Sequence, residues 1–140
     1  LDLKDKSLPT DWNDIRFKEH FHRVVDDKNF FLTMPRLIDP NILHFNPVIY
    51  VTARQIDTKI TEQWLRINGF PSAPVITVGH NGSKVEALLG KVDYFIDDAY
   101  HNYVELNNAG INCVLFTCHH NKHLQVEKRI TTLNQILNYD

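Results

Sequence analysis

The 140-residue chain contains only two cysteines, Cys113 and Cys118. Their spacing is not that of a CxxC motif, and two cysteines are too few for a disulfide scaffold, so neither class of small protein is indicated. Cys113 begins the apolar run Cys113-Val114-Leu115-Phe116 and is expected to be a core residue. A reducing, cytoplasmic location fits this cysteine usage best.

Long apolar runs and an excess of one charge are also missing. No stretch approaches the ~18 consecutive apolar residues of a membrane span, and Leu1-Asp2-Leu3-Lys4-Asp5-Lys6 lacks the apolar core of a signal peptide. Fifteen basic residues against seventeen acidic ones give a net charge of −2, which argues against the basic surface that duplex nucleic acid requires. We therefore expect an intracellular protein that binds neither a membrane nor duplex nucleic acid.

Two regions of the chain differ in hydrophobic pattern. A hydrophobic content of 43% at this length is typical of one globular domain. Residues 1–46 are aromatic, charged and helical in pattern, with Trp12, Phe17 and Phe21 at helix-like intervals. Residues 47–140 instead alternate short apolar runs with amphipathic stretches. We predict a helical N-terminal region followed by an α/β core.

The second region contains four runs suited to buried parallel strands, which are Val48–Val51, Val75–Val78, Val92–Ile96 and Cys113–Phe116. Helix signals lie between and after them: Ile60, Trp64 and Ile67 before Gly69, a capping box at Ser83–Glu86, Leu106 and Ala109 before Gly110, and Leu133–Leu137. This alternation predicts a Rossmann-like, doubly wound parallel sheet with helices on both faces.

Polar residues follow three of these predicted strands. Thr52-Ala53-Arg54 comes after the first, Lys84 stands at a helix start after the second, and Asp97-Asp98 directly follows the third. Ligands of such sheets bind beyond the carboxyl ends of the strands. A hydroxyl, an ammonium group and paired carboxylates on this rim suit a phosphate ester held beside Mg²⁺.

These three segments resemble motifs of the haloacid dehalogenase superfamily in both order and spacing. Ile49–Arg54 is similar to the second motif, Ser83-Lys84 to the third, and Tyr94–Asp98 to the fourth. Each motif is weak alone, whereas the ordered set is specific. The upstream segments Phe17–Phe21 and Asn29–Pro35 resemble the small helical cap of the 5′(3′)-deoxyribonucleotidase-like branch.

The resemblance implies a Mg²⁺-dependent phosphomonoester hydrolase of nucleotidase type, which acts through an aspartyl-phosphate intermediate. The small phosphorylated substrate, with a deoxynucleotide as one candidate, would be bound by Thr52, Ala53, Arg54 and Lys84. Within this set, Thr52 would bind the transferring phosphoryl group and Lys84 would neutralise its charge. Asp98, with Asp97 beside it, would bind Mg²⁺ directly or through water.

The first motif of the family, an apolar strand followed by Asp-x-Asp, is not found in the 140 residues. In the family, this motif supplies the nucleophile, and its strand lies at the centre of the sheet. We therefore expect an upstream segment, an associated fragment or a partner chain to complete the sheet. The alternative is a non-catalytic module of the same fold with a binding or structural role.

Two clusters have competing interpretations. Asp97-Asp98 could be a solvated helix cap, but we favour the metal role because an apolar strand aims the pair at the ligand edge. Cys118-His119-His120 with His123 offers the residue types of a zinc site. A structural zinc site needs four converging ligands, so we interpret these histidines as rim residues that contact substrate or nothing.

Overall fold

The computed structural model describes residues 32–79 and 82–139. The described residues divide into two compact units, one formed by residues 32–79 and 82–92 and the other by residues 93–139. Each unit has its own parallel sheet. Phe17–Phe21 and residues 29–31 of the Asn29–Pro35 segment, both predicted as parts of a cap, lie outside the described residues.

The first unit, which ends at residue 92, contains a two-stranded sheet. Strands β1 and β2 are parallel, with Tyr50 opposite Val75 and Thr52 opposite Thr77. The helix between them connects strands of the same direction, as a βαβ crossover does. The elements are a 3₁₀ helix at Pro40–Ile42, β1 at Tyr50–Thr52, α1 at Thr58–Ile67, β2 at Val75–Thr77 and α2 at Val85–Leu88.

Helix α1 contains the predicted positions Ile60, Trp64 and Ile67 and ends before Gly69, as the sequence pattern predicts. The side chain of Asp57 accepts a hydrogen bond from the Lys59 amide at 2.9 Å and caps the first turn. Gly69 follows the last turn with a φ of 79°, a left-handed conformation that glycine adopts without strain. Trp64 stacks on Phe70, with ring centroids 5.6 Å apart, and this contact covers one face of the helix.

The second unit contains a three-stranded parallel sheet in the order β3-β4-β5. Its core surrounds the central strand β4, whose first three residues are fully buried because both faces of the strand are covered. Cys113 is among them, which confirms it as a core residue. The elements are β3 at Phe95–Asp97, α3 at Tyr100–Asn108, β4 at Cys113–Phe116, β5 at Arg129–Ile130 and a 3₁₀ helix at Leu133–Asn138.

The observed architecture is α/β with parallel strands, as predicted, but the strands form two small sheets. This arrangement is compatible with a Rossmann-like fold. The predicted capping box at Ser83–Glu86 is wrong in its details, because Lys84 is the N-cap residue and the Ser83 hydroxyl accepts from the Val85 amide. Among the described residues, we find no helix with both the length and the apolar character needed to cross a membrane.

Candidate functional site

The two adjacent carboxylates after β3 have different surroundings. Asp97 is buried, with 7% of its surface exposed. Its Oδ1 accepts from the Ala99 amide at 2.9 Å, and its Oδ2 accepts from the Asn102 side chain at 3.1 Å. Asp97 therefore fixes the turn between β3 and α3 without capping the helix, whose N-cap residue is Ala99. Its predicted contact with a metal stays a prediction.

Asp98 has 54% of its side chain exposed at the carboxyl end of β3. Its Oδ2 lies 3.2 Å from the Nε2 atom of His120, and its backbone carbonyl accepts from the Asn121 side chain at 2.8 Å. The backbone of Asp98 is thus anchored while its carboxylate reaches solvent. A solvent-facing carboxylate is a hard oxygen donor of the kind that Mg²⁺ accepts, so Asp98 fits the predicted cation.

Asn121 connects the loop after β4 to the turn that follows β3, and it is fully buried. Its Nδ2 donates to the carbonyls of Asp98 and Phe116, both at 2.8 Å. Its Oδ1 accepts from the Cys118 amide at 3.0 Å and from Arg129 at 3.1 Å. These four bonds use the two donors and two lone pairs of the amide. Sequence analysis missed Asn121, because a single asparagine in a loop forms no pattern.

Arg129 holds the other side of this loop from its place on β5. Its Nη1 donates to the Thr117 hydroxyl at 3.0 Å, and its Nη2 donates to the backbone carbonyls of Asn121 and Leu124. A guanidinium group presents several donors in a fixed plane, so one side chain can tie together several points of a loop. The loop beside Asp98 is therefore built on a hydrogen-bonded frame.

His120 is the cationic partner of Asp98, and its side chain is 20% exposed. Hydrogen bonds to Asp98 and then to Cys118 raise the pKa of His120 to about 10, although burial opposes this shift. The ring is therefore protonated at neutral pH when no metal is bound, and it balances the charge of Asp98. Asp98, Cys118 and His120 each contribute one donor atom to a group whose members lie within 4.8 Å of one another.

The first unit contains the predicted phosphate-binding residues. Thr52 ends β1, where its hydroxyl accepts from the Arg54 amide at 3.2 Å and shapes the turn through Ala53. The Arg54 guanidinium lies 3.9 Å from the sulfur of Met34. Lys84 is half-buried and starts helix α2, which follows β2. Because β1 and β2 are adjacent and parallel, Thr52 and Lys84 follow strands that end at the same edge.

A pocket lies beside the first turn of α2 and is lined by Ile76, Val78, Gly82, Ser83, Glu86 and Ala87. Only glycine fits at position 82, since a Cβ there would collide with the Val78 carbonyl. Close approach of two backbone segments therefore shapes the entry to α2. The convergence of this region with Asp98 on one phosphate site stays a prediction.

Comparison with known proteins finds similarity to a nucleotidase. The chain is 32% identical over 78 residues to a curated nucleotidase from Clostridium acetobutylicum. The similar segment covers 55% of this chain and 41% of the length of that protein. No family model matches the chain, and no solved structure matches it. The chain therefore resembles a nucleotidase over slightly more than half of its length.

Proposed function

We propose that this chain is part of a Mg²⁺-dependent phosphomonoester hydrolase of nucleotidase type with a haloacid-dehalogenase-like fold. The observation that carries the proposal is the presentation of Asp98, whose carboxylate faces solvent at the end of β3 while Asn121 anchors its backbone. The similarity to a nucleotidase supports the same activity. The substrate would be a small phosphorylated molecule, with a nucleotide as the leading class.

In this proposal the two aspartates have different roles. Asp98 contacts Mg²⁺, and Asp97 holds the turn that aims Asp98 outward. When bound, Mg²⁺ would polarise a phosphoryl oxygen as a Lewis acid. Thr52 would donate its hydroxyl proton to a phosphate oxygen, with Ala53 and Arg54 shaping the same turn, and the Lys84 ammonium would neutralise phosphoryl charge.

The second candidate is a non-catalytic module of the same fold that binds a phosphorylated ligand or has a structural role. It is favoured by the lack of an Asp-x-Asp sequence in the 140 residues, because that motif supplies the nucleophile of the resembled family. The enzyme proposal requires a nucleophile contributed by another segment of the complete protein. Both candidates therefore predict that the protein binds a phosphorylated ligand, but only the enzyme proposal predicts that phosphate is released.

The test measures phosphate release by the purified full-length protein from deoxynucleoside monophosphates and p-nitrophenyl phosphate as Mg²⁺ is varied. Asp98→Asn should raise the Mg²⁺ concentration needed for half-maximal activity by at least about tenfold, since even residues behind the ligands have effects of that size. Asp93→Asn, which changes an exposed carboxylate before β3, is the matched control and should leave the Mg²⁺ dependence unchanged.

Two outcomes would contradict the enzyme proposal in different ways. Unchanged turnover of Asp98→Asn at limiting Mg²⁺ would remove the metal role from that residue. A wild-type protein that binds nucleotides but releases no phosphate would favour the non-catalytic module.

A further inference from the structure

We propose that Asp98, Cys118 and His120 form a binding site for a thiophilic divalent metal such as Zn²⁺, which would share Asp98 with the proposed Mg²⁺ site and compete with Mg²⁺ for that carboxylate. Each residue offers one ligand atom, and these atoms all lie within 4.8 Å of one another. Three protein ligands around a tetrahedral ion leave one position for water or an anion. The proposal does not rest on the proposed function, because it concerns binding alone.

The spacing of the donor atoms suits a small ion. Bonds of about 2.0–2.3 Å from a tetrahedral ion place neighbouring ligand atoms roughly 3.3–3.7 Å apart. His120 Nε2 and Asp98 Oδ2 are already 3.2 Å apart. The sulfur of Cys118 needs only a small adjustment to join them, since no pair of donors exceeds 4.8 Å.

The same hydrogen-bonded frame holds two of the three ligands. Asn121 donates to the Asp98 carbonyl and accepts from the Cys118 amide, so one fully buried side chain fixes the backbone of both. Arg129 in turn holds Asn121 by its side chain and its carbonyl. A site whose ligands are positioned before the metal arrives loses less conformational entropy on binding.

The surroundings distinguish His120 from the other histidines of the loop. His119 and His123 are exposed, whereas His120 is turned toward Asp98 and Cys118. The zinc site considered from the sequence consisted of Cys118 and three histidines. The structure instead places Cys118 beside one of those histidines, His120, and beside Asp98. Sequence spacing does not reveal this set, because Asp98 and His120 are 22 residues apart.

The donor types decide which metal the site prefers. A thiolate and an imidazole select Zn²⁺ and similar ions, whereas Mg²⁺ prefers oxygen ligands throughout. Zn²⁺ binds cysteine as a thiolate and histidine as a neutral imidazole, so any proton on these two donor atoms leaves to solvent on binding.

The test uses Co²⁺ as a spectroscopic substitute for Zn²⁺ on the purified full-length protein. We expect the visible absorption of tetrahedral Co²⁺, a thiolate-to-cobalt charge-transfer band, and loss of both when Zn²⁺ is added. Cys118→Ser should abolish the charge-transfer band, and His120→Gln should weaken Co²⁺ binding at least about tenfold. His119→Gln and His123→Gln are matched controls from the same loop and should keep the wild-type spectrum.

A second measurement needs no variant and so does not depend on how the variants fold. Alkylation of wild-type Cys118 by iodoacetamide, followed by peptide mass spectrometry, should slow at least about tenfold with Zn²⁺, because a metal-bound sulfur is a poor nucleophile. Mg²⁺ should give no protection. Equal alkylation with and without Zn²⁺, or a charge-transfer band that survives Cys118→Ser, would overturn the proposal. Loss of phosphatase activity alone would not bear on it.

Discussion

The side-chain amide of Asn121 donates to the backbone carbonyl of Asp98 at 2.8 Å, although 23 positions separate the two residues in the chain. This bond joins the loop after β4 to the turn after β3, and it lies directly behind the exposed carboxylate of Asp98. The geometry of the candidate site in this unit therefore depends on a residue that has no direct access to a ligand.

Asn121→Ala should lower the free energy of unfolding by about 2–4 kcal/mol. The substitution leaves several buried partners without a hydrogen bond, and each such group costs about 1–3 kcal/mol before relaxation. Urea denaturation of the two proteins measures the difference. Asn112→Ala, at an exposed position, is the control and should change the free energy by no more than about 0.5 kcal/mol. Equal effects of the two substitutions would contradict a central role for Asn121.

Asp97→Ala and Asp98→Ala should affect stability very differently. Asp97→Ala removes two buried hydrogen bonds and should cost about 1–3 kcal/mol. Asp98→Ala removes a half-exposed pair with His120 and should cost less than about 1 kcal/mol, because solvent screens an exposed carboxylate. Thermal and urea unfolding in a chelator, so that no metal contributes, would make the comparison. A larger loss for Asp98→Ala would show that the roles are reversed.

The strands show which parts of a fold can be predicted from hydrophobic pattern. Cys113–Phe116 was placed at its observed bounds, because a central strand buried on both faces leaves a continuous apolar run. Val48 was predicted to start β1, yet it is 66% exposed and the strand begins at Tyr50. The two-residue strand β5 was not predicted, since its pairing with β4 is a long-range contact with no local signature.

The candidate site shows a similar limit. The sequence predicts Asp97 and Asp98 as one pair, but Asp97 ends β3 with a buried carboxylate, whereas Asp98 follows the strand with an exposed one. Asn121 and Arg129 gave no signal, because a polar network between distant residues has no periodicity. The sequence pattern therefore predicts candidate residues at strand ends but gives no signal for the hydrogen-bonded frame behind Asp98.

The next prediction concerns how the stability of the first unit depends on pH through the hydroxyl of Tyr50. It donates to the Pro71 carbonyl at 2.7 Å, and burial raises its pKa above the ordinary value of about 10. Because the folded pKa is raised, the stabilisation is fully present below about pH 10 and is lost as pH rises through the folded pKa. Tyr50→Phe should cost about 1 kcal/mol at neutral pH.

Wild-type and Tyr50→Phe proteins should therefore converge in stability above that pKa, which denaturation at a series of pH values would show. A difference in stability that stays constant from about pH 8 to about pH 11 would contradict this account of the Tyr50 hydroxyl.

Lys84→Met should lower phosphate release by about 100-fold at saturating Mg²⁺, because one preorganised charge at the transferring group has effects of that order. Lys84→Arg should retain part of the rate, since it keeps the charge but changes its geometry. Lys91→Met changes an exposed lysine just beyond α2 and serves as the control. Initial rates with p-nitrophenyl phosphate would give the comparison, and a wild-type rate in Lys84→Met would remove Lys84 from the proposed mechanism.

The last prediction concerns the edge strands β1 and β3 of the two sheets. Within the described residues, β1 pairs with β2 alone and β3 pairs with β4 alone. The Tyr50 amide donates toward β2 and the Phe95 amide donates toward β4. Since backbone groups alternate in direction along a strand, the amides of Val51 and Ile96 face the opposite edges. A buried edge without partners would cost about 1–3 kcal/mol per group, against a net stability of about 5–15 kcal/mol.

We therefore expect a strand, supplied by an upstream segment, an associated fragment or a partner subunit, to pair with these edges in the complete protein. Hydrogen exchange followed by NMR should then show Val51 and Ile96 amides protected to nearly the degree of Val114, which lies in the central strand β4. Exchange at Val51 and Ile96 as fast as in exposed loops would mean that the edges stay open. In that case the sheets are complete as they stand, and the non-catalytic module becomes the better description, because the strand that carries the nucleophile would have no place to pair.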